Sequence, residues 1–209
     1  MFNPDIITFQ EFATQEQLPL ATIQNAVLEF LRGRSDVALF GAQAVNAYVA
    51  EPRMTQGIDI LSLRAAEIAQ TLRDYLSGCF HIAVRVQEGS QGCGYRLYQV
   101  RKTGNRHLVD IRQTESLPQT RQIADVQVIA PADLIATKVI SYHQRRGKPK
   151  SGTDWRDLAL LLLAFPVLKT DAGPVSEILQ TAGVETEILE LWRELVAQEI
   201  EPENEEDEF

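Results

Sequence analysis

Apolar and polar residues follow two different rhythms in the first third of the chain. Between 20 and 32 the apolar residues recur every three or four positions, which predicts a helix with one buried stripe. Short apolar runs at 37–40 and 58–61 predict buried strands. The segments 42–50 and 65–76 have helical composition, so we expect a helix after each strand. The pattern predicts an alternating unit of helices and strands.

The middle of the chain has the pattern of successive strands. The segments 79–86, 95–102 and 106–112 predict three strands separated by short turn regions. Short connections between consecutive strands indicate antiparallel pairing. The apolar run at 126–129 predicts a further short strand at the edge of the sheet.

After residue 130, the apolar residues have only the spacing of helices. Pro131 suits the first turn of a helix that is predicted to run to about Arg146. The segment 154–165 is apolar enough to predict an almost fully buried helix, and two more helices are expected near 174–182 and 185–199.

These elements predict the α+β class, with a mixed β-sheet, flanking helices and a helical C-terminal segment. We expect a core over 1–130 that includes the N-terminal helix, and a helical segment over 131–200 packed on this core. The segment 201–209 has six acidic residues and no basic one, and it accounts for most of the net charge of −9. Such a run favours a disordered, solvated tail; docking on a basic partner is the alternative.

Composition limits the class of protein. An apolar content of 44% and a charged content of 23% are ordinary for a water-soluble globular chain, and no apolar run is long enough to span a membrane. The N-terminus lacks the pattern of a secretory signal, so we expect a cytoplasmic protein. Cys79 and Cys93 form no metal-type cluster and are expected to be buried or half-buried. Overall acidity argues against non-specific binding to duplex DNA, although 145–150 is locally basic.

A glycine separates the first predicted strand from the helix that follows it. At Gly41 the backbone can approach a ligand closely, and the N–H groups at the start of the following helix favour an anion such as a phosphate. An ordinary turn is the alternative for this motif.

Two aspartates lie on predicted strands. Residues 57 and 59 of the second strand share one face, and a pair of acids at these positions would hold a divalent cation. Only Asp59 is acidic, because position 57 is Gly57. Asp110 lies on a later strand and could share a metal with Asp59 if the two strands are neighbours. A solvated strand residue is the alternative for Asp110.

Several motifs in order resemble a known family. The run at 41–48 and the run Pro52-Arg53-Met54-Thr55-Gln56-Gly57-Ile58-Asp59-Ile60 resemble the core of the nucleotidyltransferase superfamily. The branch with AbiEii-type toxins and minimal nucleotidyltransferases of toxin–antitoxin systems is the most similar. The segments 134–138, 145–146 and 154–158 resemble downstream motifs of this branch, so the resemblance extends from about 37 to 162.

The resemblance implies a nucleotidyltransferase-like sheet and a role for each matching residue. Gly41 and Ala42 would form the phosphate-binding turn, and Lys138 would contact the nucleotide phosphates. Asp59 and Asp110 would hold Mg²⁺, with Asp110 as the base toward the acceptor. An active protein of this kind would transfer a nucleoside monophosphate from an NTP to a hydroxyl of an RNA, a protein or a small molecule.

The departure from the family pattern is Gly57, which stands where the first acid of the pair is expected. One interpretation is a catalytically impaired pseudoenzyme that binds a nucleotide or a partner, as in a toxin–antitoxin pair. The other is an active site completed by a nearby acid, for which Glu51 and Asp154 are candidates. Two further alternatives stay open: Lys138 as an outward-pointing surface lysine, and Asp154 as a residue that caps the start of a helix.

Overall fold

The computed structural model describes residues 18–89 and 93–202, in which one sheet of seven strands is flanked and followed by helices. The strands are β1 (Val37–Phe40), β2 (Ile58–Ser62), β3 (Val84–Glu88), β4 (Gly94–Gln99), β5 (Arg106–Gln113), β6 (Thr120–Ile123) and β7 (Val126–Ile129). The α-helices are α1 (Leu20–Leu31), α2 (Gly41–Tyr48), α3 (Ala65–Phe80), α4 (Pro131–Gln144), α5 (Lys150–Ala164), α6 (Pro174–Thr181) and α7 (Thr186–Ala197), and a 3₁₀ turn spans Pro166–Leu168.

The sheet is mixed, in the order β3-β4-β5-β2-β1-β7-β6. β1 pairs antiparallel with β2 and parallel with β7, and β2 pairs parallel with β5. The strands β3, β4 and β5 pair antiparallel, as their short connections predict. This observed architecture confirms the predicted α+β fold, with a mixed sheet and a helical C-terminal segment.

Burial along the central strands explains their sequence. All four residues of β1 are buried, which fits its continuous apolar run. In β2 the buried positions alternate with half-buried ones, and Ile58 and Ile60 are fully inaccessible. The alternation turns Asp59 to the opposite face from these two anchors.

The helix α3 is longer than predicted, so the predicted strand at 79–86 begins too early. Ile68, Leu72 and Leu76 form a buried stripe every four residues, and Phe80 continues it as a half-buried residue. The helix ends where His81 adopts a left-handed conformation with φ of 52°. Cys79 therefore lies on the outer side of a helix; both it and Cys93 are exposed, so the expectation of buried cysteines is wrong.

The predicted edge strand 126–129 is an interior strand. It is β7, which lies between β1 and a strand that the sequence did not predict, β6. The hairpin turn between β6 and β7 has Ala124 and Asp125 at φ of 49° and 62°. Hairpin turns with positive φ at both central residues usually carry Asn or Gly. Neither residue type is present in this turn, so the sequence pattern did not indicate the hairpin.

The chain forms two compact units that divide between Ile129 and Ala130. In the second unit, α4 begins with Pro131 as predicted, whereas α5 begins at Lys150 rather than near Asp154. Ser151 and Gly152 have low helix propensity, so the sequence pattern did not indicate the first turn of α5. Most of the predicted acidic tail, 203–209, lies outside the described residues. None of the helices that the structure describes is long and apolar enough to cross a membrane.

Candidate functional site

The turn from β1 into α2 brings the backbone against an acidic side chain. Gly41 is the first residue of α2 and has φ of +69°. A Cβ atom at this position would lie 2.2 Å from Oδ2 of Asp59. Both the left-handed conformation and the close carboxylate of Asp59 require glycine at this position, whereas the approach of a ligand to this turn stays a prediction.

The two candidate aspartates are directly paired on neighbouring strands. Phe40 is paired with Asp59 across β1 and β2, and Asp59 is paired with Asp110 across β2 and β5. Neighbouring strands are about 4.8 Å apart, and directly paired residues face the same side of the sheet. The condition set by the sequence is met, because the strand of Asp110 is the neighbour of the strand of Asp59.

The carboxylate of Asp110 already has two basic neighbours. The Nε of Arg96, on β4, donates a hydrogen bond of 2.7 Å to Oδ1. The Nε2 of His107 lies 3.2 Å from Oδ2, at ion-pair distance but without the geometry of a hydrogen bond. Burial alone would raise the pKa of Asp110, but His107 and Arg96 outweigh it and hold this pKa below its ordinary value.

A shift of register turns His107 toward Asp110. Residues three apart on a regular strand face opposite sides, but the β4–β5 pairing jumps from Leu97–Val109 to Tyr98–His107. The extra residue in β5 rotates His107 onto the face of Asp110, as bulges commonly do. The ring of Tyr98 contacts His107 edge-on, with centroids 5.5 Å apart. The sequence pattern gave no signal of this shift, so His107 and Arg96 were missed as site residues.

His107 also fills the space beside Gly57. A Cβ atom at Gly57 would lie 2.6 Å from both Cε1 and Nδ1 of the imidazole, and 3.2 Å from the carbonyl oxygen of Leu108. Cβ contacts below 3.0 Å are essentially never observed. The position where the family pattern has an acid is therefore occupied by the side chain of a residue on β5.

The loop that leads into β2 is held by amide side chains. Asn46, buried in α2, donates from Nδ2 to the carbonyl of Arg53 at 2.7 Å and accepts from the N–H of Arg53 at 3.0 Å. Gln24 of α1 donates to the carbonyl of Thr55 at 3.0 Å. These bonds fix the backbone immediately before Gly57 and Asp59. Asn46 is a further residue that helical periodicity alone did not indicate.

This face lacks one of the two acids that the family pattern places at 57 and 59. Asp59 and Asp110 are the two acids in register. One oxygen of Asp110 is bonded to Arg96, and Gly57 supplies no ligand. Among the described residues, no three His, Cys, Asp or Glu side chains are grouped so that they could hold a metal ion. Mg²⁺ takes six oxygen ligands in octahedral geometry, and in proteins these usually come from one or two carboxylates, substrate phosphates and waters.

Lys138 lies in the helical unit and points inward, so its interpretation as an outward surface lysine is wrong. Its Nζ donates to Oδ2 of Asp157 at 2.6 Å and lies 3.5 Å from Oδ1 of Asp154. Arg145 binds both oxygens of Asp154, at 2.8 and 3.0 Å. Asp154 lies in the interior of α5 and is a buried member of a charge network with Lys138 of α4 and Arg145, rather than the cap of the first turn of α5.

Comparison with known families gives one extended match. Residues 29–206 match the family model of the nucleotidyl transferase AbiEii toxin of type IV toxin–antitoxin systems. No curated protein sequence matches the chain.

Solved structures share the fold at low sequence identity. The Megavirus polyadenylate synthase matches with a TM-score of 0.57 and 13% identity, over 70% of this chain and 32% of the viral one, so this chain spans about a third of that enzyme. JHP933 from Helicobacter pylori matches with a TM-score of 0.53 and 11% identity, over 92% of this chain and 91% of the other. A candidate nucleotidyltransferase from H. pylori has a TM-score of 0.53 and 12% identity, over 91% and 93% of the two chains. These matches show a nucleotidyltransferase-like fold.

Proposed function

Because the chain belongs to the AbiEii nucleotidyltransferase family, we propose that it binds a nucleoside triphosphate at the turn of Gly41 and that transfer of the nucleotide is impaired. The observation that carries the proposal is the imidazole of His107 in the place of a side chain at Gly57. Phosphoryl-type transfer depends on cations that clamp the attacking and leaving oxygens, so a site without the paired acids lacks the main catalytic element.

The start of α2 supplies the binding part of the proposal. Gly41 and Ala42 are the first two residues of α2, where backbone N–H groups have no partner within the helix. The positive end of the helix dipole adds to their attraction for phosphate. Arg112, which stacks on Phe40 at 4.8 Å from the ring centroid, brings a guanidinium close to the same turn.

The role of Lys138 toward the phosphates stays a prediction. Its ammonium group is buried and bonded to Asp157, so a contact with a phosphate requires this ion pair to open or to be shared. Breaking a buried ion pair costs free energy, because it leaves a buried charge without its partner.

A second candidate function is an active transferase. The direct register of Asp59 and Asp110 on neighbouring strands favours it. In this case the two carboxylates would hold Mg²⁺, Asp110 would serve as the base, and the acceptor would be a hydroxyl of an RNA, a protein or a small molecule. Cations there would neutralise the charge that develops on the phosphoryl oxygens.

The family name adds a biological setting to either candidate. AbiEii proteins are toxins of type IV toxin–antitoxin systems. The proposal includes membership of such a pair and a cytoplasmic site of action, where nucleoside triphosphates are available. An impaired member would act by binding a nucleotide or a partner rather than by catalysis.

The binding proposal is tested at the second residue of α2. The variant Ala42→Asp places a negative charge at a helix start, which suits the helix but repels a triphosphate. By calorimetry with each NTP and Mg²⁺, we expect binding to the unmodified protein and a loss of about tenfold or more in the variant, the equivalent of about 1.4 kcal/mol. Ala66→Asp, at the second residue of α3, is the matched control and should bind as the unmodified protein does. Equal binding by both variants would exclude the α2 turn as the phosphate site.

Transfer is measured separately, as incorporation of labelled nucleotide into RNA, protein and small-molecule acceptors. We expect little or no incorporation. Robust transfer that is lost in Asp59→Asn and Asp110→Asn, but kept in the exposed control Asp74→Asn, would replace the impaired candidate by the active one.

A further inference from the structure

Gly57 and His107 depend on each other sterically. The imidazole lies where the first carbon of any side chain at 57 would have to be, with two ring atoms at 2.6 Å. An aspartate would extend its carboxylate further in the same direction. An acid at 57 and this position of His107 are therefore mutually exclusive.

The imidazole is held in this position by the fold. The register shift in β5 turns it toward Asp110, the Tyr98 ring packs on it, and its Nε2 stands 3.2 Å from the Asp110 carboxylate. A change at position 57 alone leaves all three of these restraints in place. The carbonyl oxygen of Leu108 would lie 3.2 Å from a Cβ atom at position 57, so it limits how far a new side chain there could shift away from the imidazole.

The same cluster also engages the remaining acid. One oxygen of Asp110 accepts the Arg96 hydrogen bond and the other faces His107. A cation on Asp110 would have to compete with a guanidinium and would lie close to it, which is repulsive. A rebuilt site would therefore depend mainly on acids at 57 and 59, because removal of His107 clears only the Oδ2 side of Asp110.

We propose that His107 is the residue that closes the cation position, with Gly57 as its necessary counterpart, so that cation affinity returns only when both positions are changed. The proposal concerns the protein without nucleotide and rests on the proposed function only in locating the site. It predicts that Gly57→Asp alone does not rebuild the site. Gly57→Asp combined with His107→Ala does, because the second change removes the ring atoms that obstruct the new side chain.

The test is binding of Mn²⁺ alone to the full chain, measured by electron paramagnetic resonance and calorimetry. We expect no specific binding by the unmodified protein, by Gly57→Asp or by His107→Ala. The double variant should bind one Mn²⁺ with an affinity at least about tenfold above the weak, non-specific background of either single variant, the scale on which supporting residues alter metal affinity. Adding Asp59→Asn to the double variant should abolish the gain.

Three results would overturn the proposal: Mn²⁺ binding by the unmodified protein that Asp59→Asn removes, equal binding by Gly57→Asp and the double variant, or a folded double variant without gain. Circular dichroism melting establishes that the variants are folded, and His107→Gly replaces His107→Ala if the double variant is not. Failure of the proposed function is separate, since it is read from NTP binding. A double variant that gains Mn²⁺ in a protein that binds no NTP would support this inference and reject the nucleotide site.

Discussion

At Gly41 two demands on one residue can be separated experimentally. Gly41 and Gly33 have the same φ of +69°, but only Gly41 has a neighbour where a Cβ would be, the Asp59 carboxylate. Any difference between the two glycines therefore reports the contact rather than the backbone conformation.

Alanine is expected to destabilise the protein at both glycines, and more at Gly41. Gly33→Ala should cost about 1–2 kcal/mol of unfolding free energy for the left-handed conformation. Gly41→Ala should cost about 1–3 kcal/mol more, because the new methyl group must displace Asp59. Urea unfolding of both variants measures the difference. Equal losses would mean that Asp59 moves aside freely and is not held against the turn.

The central strands show how far pattern alone can predict the elements. The apolar runs and the alternation of β1, β2 and β5 predicted where these strands lie and which face each aspartate is on. Burial on one or both faces of a strand produces a pattern of apolar and polar residues that can be recognised in the sequence. The turn between β6 and β7 was missed because Ala124 adopts a positive φ without the usual residue type. The shift in β5 that presents His107 depends on pairing with β4, and no pattern within one strand encodes a pairing irregularity.

The loop before β2 is tied to α2 through Asn46, and the variant Asn46→Asp tests this connection. The substitution keeps the acceptor for the N–H of Arg53 but places a carboxylate oxygen against its carbonyl and against Oε1 of Gln43. We expect a loss of about 1–3 kcal/mol in unfolding free energy, the cost of a buried polar group without its partner. Asn105→Asp, exposed in the turn between β4 and β5, should change stability little. A similar small change for Asn46→Asp would show that the loop is held by other contacts.

For the whole molecule, the order of the motifs predicted the family that the comparison then showed over residues 29–206. No single motif carried this prediction, since the Gly41 turn and the Asp59 strand are each common in unrelated folds. The environment of Lys138 could not be predicted, because its partners Asp157 and Asp154 lie on another helix and only packing brings the three together. The assignment of individual site residues to binding and catalysis stays a prediction.

The ion pair of Lys138 should be important for stability in the helical unit. Lys138→Met removes the ammonium group that is bonded to the inaccessible Asp157, and we expect a loss of about 3–5 kcal/mol in unfolding free energy. The double variant Lys138→Met/Asp157→Leu should recover much of this loss, because it removes the buried carboxylate together with the cation that is bonded to it. Urea unfolding, with the exposed Lys102→Met as control, measures both. A single variant as stable as the control would show that the pair is dispensable.

The strand order of the sheet has a consequence for the order in which the protein folds during synthesis. β1 lies between β2, its neighbour in the chain, and β7, which follows almost ninety residues later. Asp59 likewise meets Asp110 only when β5 has been synthesised and docked. Closing such long loops is slow compared with forming hairpins and helices. During synthesis on the ribosome, the hairpin of β3 and β4 can form before the face that carries the two aspartates exists, so this face is assembled late.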